Sequence, residues 1–130
     1  MPSLLLVEDN DLNRDALSRL LARRGYLVVQ AKDGAEALHL ASSQRFDLIL
    51  MDVGLPVMDG HEVTRRLRER KELAGVPILA LTAHAMDADR EAALAAGCDD
   101  FATKPVAFAQ LLLKIEALLD RAGKGGTDAP

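Results

Sequence analysis

Residues 48–52 read Leu-Ile-Leu-Met-Asp, four apolar residues in a row that end in a carboxylate. An unbroken apolar run of this length predicts a strand buried on both faces, as in a parallel sheet covered by helices. Similar runs, the last one weaker, occupy residues 4–7, 27–29, 78–81 and 100–102. The sequence therefore predicts five short strands, each followed by a longer segment.

The longer segments have the apolar spacing of amphipathic helices. In the last of them, Leu111, Leu112, Ile115 and Leu118 recur at intervals of three and four residues. The predicted helices cover residues 11–24, 34–43, 61–71, 87–96 and 107–121. Strands that alternate with helices predict an α/β fold: a doubly wound, five-stranded parallel sheet, (βα)5, with the flavodoxin-like strand order 2-1-3-4-5.

The composition is that of one globular domain. The 130 residues are 49% apolar and 28% charged, and we expect a folded domain over residues 1–122 and a disordered Gly-rich tail over 123–130. A net charge of −4 without a long basic stretch argues against direct binding of nucleic acid. A single cysteine, Cys98, excludes an internal disulfide and is expected to be a small buried residue. No apolar run resembles a membrane span or a signal peptide, so we expect a cytoplasmic protein without a membrane partner.

Polar side chains follow four of the five predicted strands. Glu8 and Asp9 follow the first strand, Asp52 ends the third, Thr82 ends the fourth, and Lys104 follows the fifth. Ligands of open α/β sheets bind beyond the carboxyl ends of the strands, near the point where the strand order reverses. One carboxylate after a strand usually belongs to a turn or caps a helix. Polar or charged side chains at four strand ends together predict a ligand-binding site.

The three carboxylates would repel one another if they converged without a cation. An all-oxygen set of this kind suits Mg²⁺, with Mn²⁺ able to substitute, and lacks the His and Cys ligands that zinc prefers. Lys104 adds an ammonium and Thr82 a hydroxyl, so the set suits a phosphoryl group. Asp52 stands alone on its strand and is the best candidate for a carboxylate nucleophile, which leaves Glu8 and Asp9 to hold the metal.

The same residues resemble the motifs of two-component response-regulator receiver domains. The matching segments are residues 5–10, 48–52, 55–60, 77–83 and 104–105, and the resemblance extends from residue 3 to about residue 121. It implies a phosphorelay protein that accepts a phosphoryl group on Asp52 from a histidine kinase or phosphotransfer protein. The reaction would need Mg²⁺, and the protein would be a conformational switch rather than a turnover enzyme.

The resemblance also implies a role for each site residue. Asp9 would bind Mg²⁺ directly, Glu8 through water, and Asp52 and the backbone carbonyl of Gly54 would be further ligands. Thr82 and Lys104 would contact the phosphoryl group. The resemblance further implies a cis peptide bond at Lys104-Pro105 and a switch aromatic at Phe101. It also implies that Gly54 and His84 affect the lifetime of the phosphoryl group.

Receivers signal through their fourth helix, fifth strand and fifth helix, so the resemblance places a downstream protein partner there. Leu113 lies off the apolar stripe of the last helix and is expected to be exposed, while the arginines of the third helix are expected to form a solvated face. The start at Met1 favours a stand-alone regulator over a receiver detached from a hybrid histidine kinase.

Three alternative functions agree less well with these residues. A phosphorylation-independent scaffold would have lost site residues, whereas this chain retains them. A flavin-binding electron carrier would need a phosphate loop where Glu8-Asp9-Asn10 stands, and more aromatic rings than three Phe and one Tyr. A Mg²⁺-dependent phosphatase would need a second acid at position 54, which is glycine.

Overall fold

Five parallel strands form one sheet in the order β2-β1-β3-β4-β5, as predicted. The structure is a computed structural model that describes residues 1–83 and 86–127. The strands are β1 (Ser3–Val7), β2 (Leu27–Ala31), β3 (Leu48–Asp52), β4 (Ile78–Thr82) and β5 (Asp100–Thr103). The helices that connect and follow them are α1 (Asp11–Ala22), α2 (Gly34–Ser43), α3 (Gly60–Arg68), α4 (Asp87–Ala96) and α5 (Phe108–Thr127).

The central strand β3 is buried over its whole length, between β1 and β4. Successive side chains of a strand point to opposite faces of the sheet, so each strand contributes residues to two cores, one on each face. One core contains Leu5 and Ile49 and is covered by α2, α3 and α4. The other contains Leu4 and Leu50 and is covered by α1 and α5. Helices on both faces explain why the strands are apolar runs rather than alternating patterns.

Short polar side chains fix the first turns of three helices. Asn10 is the N-cap of α1, and its side-chain oxygen accepts a hydrogen bond from the Asn13 N–H at 2.9 Å. Asp33 and Asp59 cap α2 and α3 in the same way. The capping role at α1 therefore falls to Asn10, which leaves the side chains of Glu8 and Asp9 for the site.

The third helix ends earlier than predicted, at Arg68 instead of residue 71, and a short 3-10 turn, Lys71–Leu73, follows it. The expectation that all its arginines form a solvated face is wrong for Arg68. The Arg68 side chain is only 19% exposed, whereas those of Arg65 and Arg66 are 57% and 52% exposed. Its position on α3 directs the side chain towards the start of β4 and the end of α4, where backbone carbonyls accept its hydrogen bonds.

The last helix continues beyond residue 122, where the sequence predicted a tail, and its backbone is helical as far as Thr127. Glycine in a helix costs only about 1 kcal/mol relative to alanine, so an established helix can extend through glycines. Residues 128–130 of the predicted tail lie outside the described residues. Within the described ranges, no helix combines the length and the hydropathy that crossing a bilayer requires.

Candidate metal and phosphoryl-acceptor site

Three carboxylates meet at the carboxyl end of the sheet. In the parallel pairing of β1 with β3, Val7 lies beside Met51, so Glu8 and Asp52 emerge side by side. Glu8, Asp9 and Asp52 each offer an oxygen, and these oxygens lie within 4.8 Å of one another. Glu8 and Asp52 are buried and Asp9 is exposed. The strand register thus produces the convergence that the sequence predicted.

Lys104 places its ammonium group between two of these carboxylates. Its Nζ lies 3.0 Å from Asp52 Oδ1 and 3.2 Å from Glu8 Oε1. The Lys104 backbone N–H donates to the Thr82 carbonyl at 2.7 Å, and the Lys104–Pro105 peptide bond is cis. Side chains at the carboxyl ends of three different strands are therefore joined in one network.

The environment changes the pKa of each charged group in this network. Burial raises the pKa of Glu8 above its ordinary value of 4.5, and the nearby Asp52 charge adds to the effect. Burial also acts to raise the pKa of Asp52, but hydrogen bonds with Lys104, Glu8 and the Gly54 N–H lower it overall. Burial acts to lower the pKa of Lys104, but Asp52 and Glu8 raise it overall. Asp52 is thus an ionised carboxylate and Lys104 a cation at neutral pH.

A cavity of about 320 Å³ opens over these groups. Thr82 is buried at the end of β4 and lines this cavity with the carboxylates. Gly54 also lines it, and its backbone N–H donates to Asp52 Oδ1 at 3.0 Å. A Cβ at position 54 would lie 3.7 Å from that oxygen, an ordinary contact, so the cavity does not itself require glycine. The role of the Gly54 carbonyl as a metal ligand stays a prediction.

The backbone of Asp52 and Val53 does require a glycine at position 60. A Cβ there would lie 2.3 Å from the Asp52 carbonyl oxygen and 2.7 Å from the Val53 Cα. The Gly60 N–H donates to the Val53 carbonyl at 3.0 Å, which fixes the start of α3 against the end of β3. This close approach holds the backbone of Asp52 in place.

Phe101 lies on β5, is not among the residues that line the cavity, and is half-buried. The Arg90 guanidinium of α4 lies 5.5 Å from the ring centroid, and the Lys114 ammonium of α5 lies 5.7 Å from it. The ring therefore bridges the two helices that flank β5. His84, the other residue expected to affect the site, lies outside the described residues.

Two residues near the site were not predicted from the sequence to be site residues. Asn13 lines the cavity from the first turn of α1. Arg14, beside it, donates a hydrogen bond to the Glu8 backbone carbonyl at 2.9 Å. These contacts depend on how α1 is placed against the end of β1, which the structure reveals. The sequence offered one signal, because both residues lie early in the helix that follows the acidic pair.

The carboxylate oxygens of the site suit a hard divalent cation. The candidate ligands are carboxylate oxygens on two adjacent strand ends, they lie within 4.8 Å of one another, and one of them is exposed. Oxygen-only sites with few protein carboxylates and room for water are typical of Mg²⁺. Two buried carboxylates share one ammonium at this place, so further positive charge would stabilise them.

Comparison with known proteins identifies the family. The model of the response regulator receiver domain matches residues 4–116. The transcriptional regulatory protein AfsQ1 of Streptomyces coelicolor is 45% identical over 129 residues, which cover 99% of this chain and 56% of AfsQ1. The polar-differentiation response regulator DivK of Brucella anthropi is 39% identical over 117 residues, which cover 90% of this chain and 95% of DivK.

A solved structure shares both the fold and much of the sequence. It is the receiver domain of the sensor histidine kinase PA1611 from Pseudomonas aeruginosa, with a magnesium ion coordinated in its active-site cleft. Its sequence is 41% identical, its TM-score is 0.85, and the match covers 92% of this chain and 98% of that domain. The chain therefore belongs to the response regulator receiver domain family of two-component signalling systems.

Proposed function

We propose that Asp52 accepts a phosphoryl group from a phosphohistidine of a histidine kinase or phosphotransfer protein, in a reaction that requires Mg²⁺. The observation that carries this proposal is the position of Lys104 Nζ, 3.0 Å from Asp52 Oδ1, beside carboxylate oxygens within 4.8 Å of one another. The arrangement supplies a nucleophile, a cation for the phosphoryl oxygens and ligands for a metal. Mn²⁺ should substitute for Mg²⁺, because it accepts the same oxygen ligands.

The chemistry follows from the charges of the site. An oxygen of the ionised Asp52 carboxylate attacks phosphorus, an O–P bond forms, the N–P bond of the phosphohistidine breaks, and the imidazole leaves with the electron pair. Lys104 neutralises charge on the phosphoryl oxygens, and Thr82, which lines the same cavity, offers a hydroxyl as a further donor. A bound Mg²⁺ would offset the remaining negative charge and align the phosphoryl group. The product is an aspartyl phosphate.

The consequence of phosphorylation is a shift between two conformations, and we propose that the protein is a signalling switch rather than a turnover enzyme. A downstream protein partner would bind the surface of α4, β5 and α5. In support, Leu94 of α4 and Leu113 of α5 are 46% and 66% exposed, and Phe101 lies between these helices. Phosphorylation should change amide hydrogen exchange in these three elements more than in β2, at the opposite edge of the sheet.

The cellular setting follows from the same proposal. A protein that takes its phosphoryl group from a histidine kinase or phosphotransfer protein would work in the cytoplasm. DivK is named a response regulator and PA1611 a sensor histidine kinase, so a separate regulator and a receiver of a hybrid kinase are the two settings we propose.

The decisive experiment is the intact mass of the protein after incubation with acetyl phosphate or phosphoramidate and Mg²⁺. We expect a gain of about 80 Da, one phosphoryl group, which disappears in Asp52→Ala and in the absence of a divalent cation. Asp59→Asn is the matched control: it changes an exposed aspartate near the site while keeping a side chain that can cap α3, so it should still gain the mass.

Two results would contradict the proposal. A mass gain that persists in Asp52→Ala would place the phosphoryl group elsewhere. A protein that gains no mass from small donors or from purified histidine kinases would be a phosphorylation-independent scaffold instead.

A further inference from the structure

Arg14, near the start of α1, is held by three acceptors at once. Its Nη1 donates to the Glu8 backbone carbonyl at 2.9 Å, its Nε donates to Gln30 Oε1 at 3.2 Å, and its Nη2 contacts Asp11 Oδ1 at 2.6 Å. The side chain is only 15% exposed. Arg19, on the same helix, is 73% exposed and forms an ion pair with Asp15. Arg14 is thus tied to the end of β1 in a way that an ordinary surface arginine is not.

The bond to the Glu8 carbonyl matters most, because this carbonyl belongs to the peptide group that joins Glu8 to Asp9. A peptide group is planar, so a donor that fixes the direction of its oxygen also fixes the Cα atoms on both sides. Those two Cα atoms carry two of the three carboxylates of the candidate metal site. Glu8 follows Val7, the last residue of β1 in the strand ladder, and its own N–H donates to the Ala31 carbonyl of β2 at 3.0 Å. That bond holds the peptide group before Glu8, whereas Arg14 restrains the next one, between Glu8 and Asp9.

The side chain of Glu8 is held separately. Its Oε2 accepts a hydrogen bond from the Asn10 N–H at 3.1 Å, and its Oε1 contacts Lys104 Nζ at 3.2 Å. Asp9 is exposed, so the direction of its carboxylate depends mainly on its backbone. Arg14 supplies the backbone restraint from the helix, and Gln30 of β2 orients the guanidinium from the other side.

We propose that Arg14 is a positioning residue of the acidic site. It raises the affinity for a divalent cation by fixing the Glu8–Asp9 peptide group, without contacting the cation. The inference rests on the proposed function, since it assumes that the acidic cluster binds Mg²⁺. Partners that orient metal ligands typically change metal affinity by about 10–100-fold when they are removed, and a restraint on two ligands at once belongs in that range.

The test is a titration of the unphosphorylated protein with MgCl₂ alone, followed by NMR of the backbone amides. Arg14→Met keeps the aliphatic stem and removes every donor, so it should weaken Mg²⁺ binding about tenfold or more. Arg14→Lys keeps the charge and one donor group, and should weaken binding less. Arg19→Met removes an exposed arginine from the same helix and should leave the dissociation constant unchanged.

A thermal unfolding curve without metal separates positioning from stability. If Arg14 served stability alone, Arg14→Met would lower the melting temperature but bind Mg²⁺ as wild type does, and that result would overturn the inference. Should Arg14→Met fail to fold, Arg14→Lys and Gln30→Met replace it, since Gln30→Met removes the acceptor that orients the guanidinium. Wild-type affinity in both of these variants overturns the inference equally.

Failure of the proposed function gives a different result. If the wild-type protein itself does not bind Mg²⁺, the metal-dependent function is wrong and the role of Arg14 is wrong with it. If wild type binds Mg²⁺ and the Arg14 variants bind it equally well, only the role of Arg14 is lost.

Discussion

At the scale of single residues, Val57 is the clearest case of strain. Its φ is +67°, a left-handed value that β-branched residues rarely adopt, and the Met58 N–H donates to the Pro56 carbonyl across it at 2.7 Å. The Val57 side chain is fully exposed, so it gains no packing in return. Such strain costs about 1–3 kcal/mol and clusters at functional sites. Here it lies in the loop that follows Asp52, between β3 and α3.

We therefore expect Val57→Gly to stabilise the protein. Glycine relieves strain of about 1–2 kcal/mol but loses about 0.5–1 kcal/mol through greater freedom of the unfolded chain, so the net gain should be up to about 1.5 kcal/mol. Urea unfolding measures it. Val29→Gly, in the half-buried part of β2, should lose stability instead, and an equal loss in both variants would show that Val57 is not strained.

The sequence does not reveal this strain. A proline at position 56 predicts a turn, but a residue with positive φ in a turn is expected to be glycine or asparagine. Cys98 shows the opposite case, since its type alone predicted burial. It is 6% exposed, and burial raises the pKa of its thiol to about 11.

At the scale of elements, Arg68 joins the end of α3 to two other segments. Its Nε donates to the Gly97 carbonyl at 2.9 Å, and its Nη1 donates to the Val76 carbonyl at 2.6 Å. Its Nη2 lies 2.7 Å from Asp99 Oδ2, which also accepts from the Ile78 N–H at 2.8 Å. One guanidinium thereby fixes the C-terminal end of α4 and the entry into β4.

We expect Arg68→Met to lower the free energy of unfolding by about 2–4 kcal/mol, because it leaves partly buried carbonyls without a donor and Asp99 without its cation. Arg66→Met is the matched control. Arg66 is 52% exposed and pairs with Glu62, so its loss should cost at most about 0.5 kcal/mol. Chemical denaturation of both variants measures the difference. Equal, small losses would show that the contacts of Arg68 add nothing to stability.

The arginines of α3 also show what sequence patterns can predict about elements. The apolar spacing predicted the helix, and in the structure its apolar residues Val63 and Leu67 are buried. It could not separate Arg68 from Arg65 and Arg66, because the difference lies in what packs beside each side chain. Those partners come from residues 76 and 97–99, whose position depends on the tertiary fold.

At the scale of the whole molecule, the strand order explains why the sequence could predict which residues form the site. Parallel strands all end at one edge, so polar residues that are distant in the sequence, such as Glu8 and Lys104, were expected to meet. Their distances and the protonation behaviour that follows could not be predicted, because they depend on register and burial. The site gathers like charges, two of them on buried side chains, and that arrangement should cost stability.

Glu8 carries most of this cost, since burial raises its pKa above the ordinary value of 4.5. A raised pKa means that the folded state favours the neutral acid, so the fold loses stability as the pH rises and the carboxyl ionises. We expect Glu8→Gln, without metal at pH 7, to raise the free energy of unfolding by about 0.5–2 kcal/mol, the usual gain when a functional group under strain is removed. The gain should vanish below pH 4.5, where wild-type Glu8 is also neutral.

Adding Mg²⁺ should reverse the order of the two proteins. A ligand that binds only the folded state stabilises it by RT ln(1 + [L]/Kd), so the protein with the complete set of carboxylates gains more. Thermal unfolding at increasing MgCl₂ measures this directly, with Glu91→Gln as the control at an exposed glutamate that should behave as wild type at every concentration. If Mg²⁺ stabilised Glu8→Gln as much as wild type, Glu8 would contribute nothing to the metal site. If Glu8→Gln were less stable than wild type without metal, the buried carboxylate would be part of what holds the fold together, and the site would not be maintained at the expense of stability.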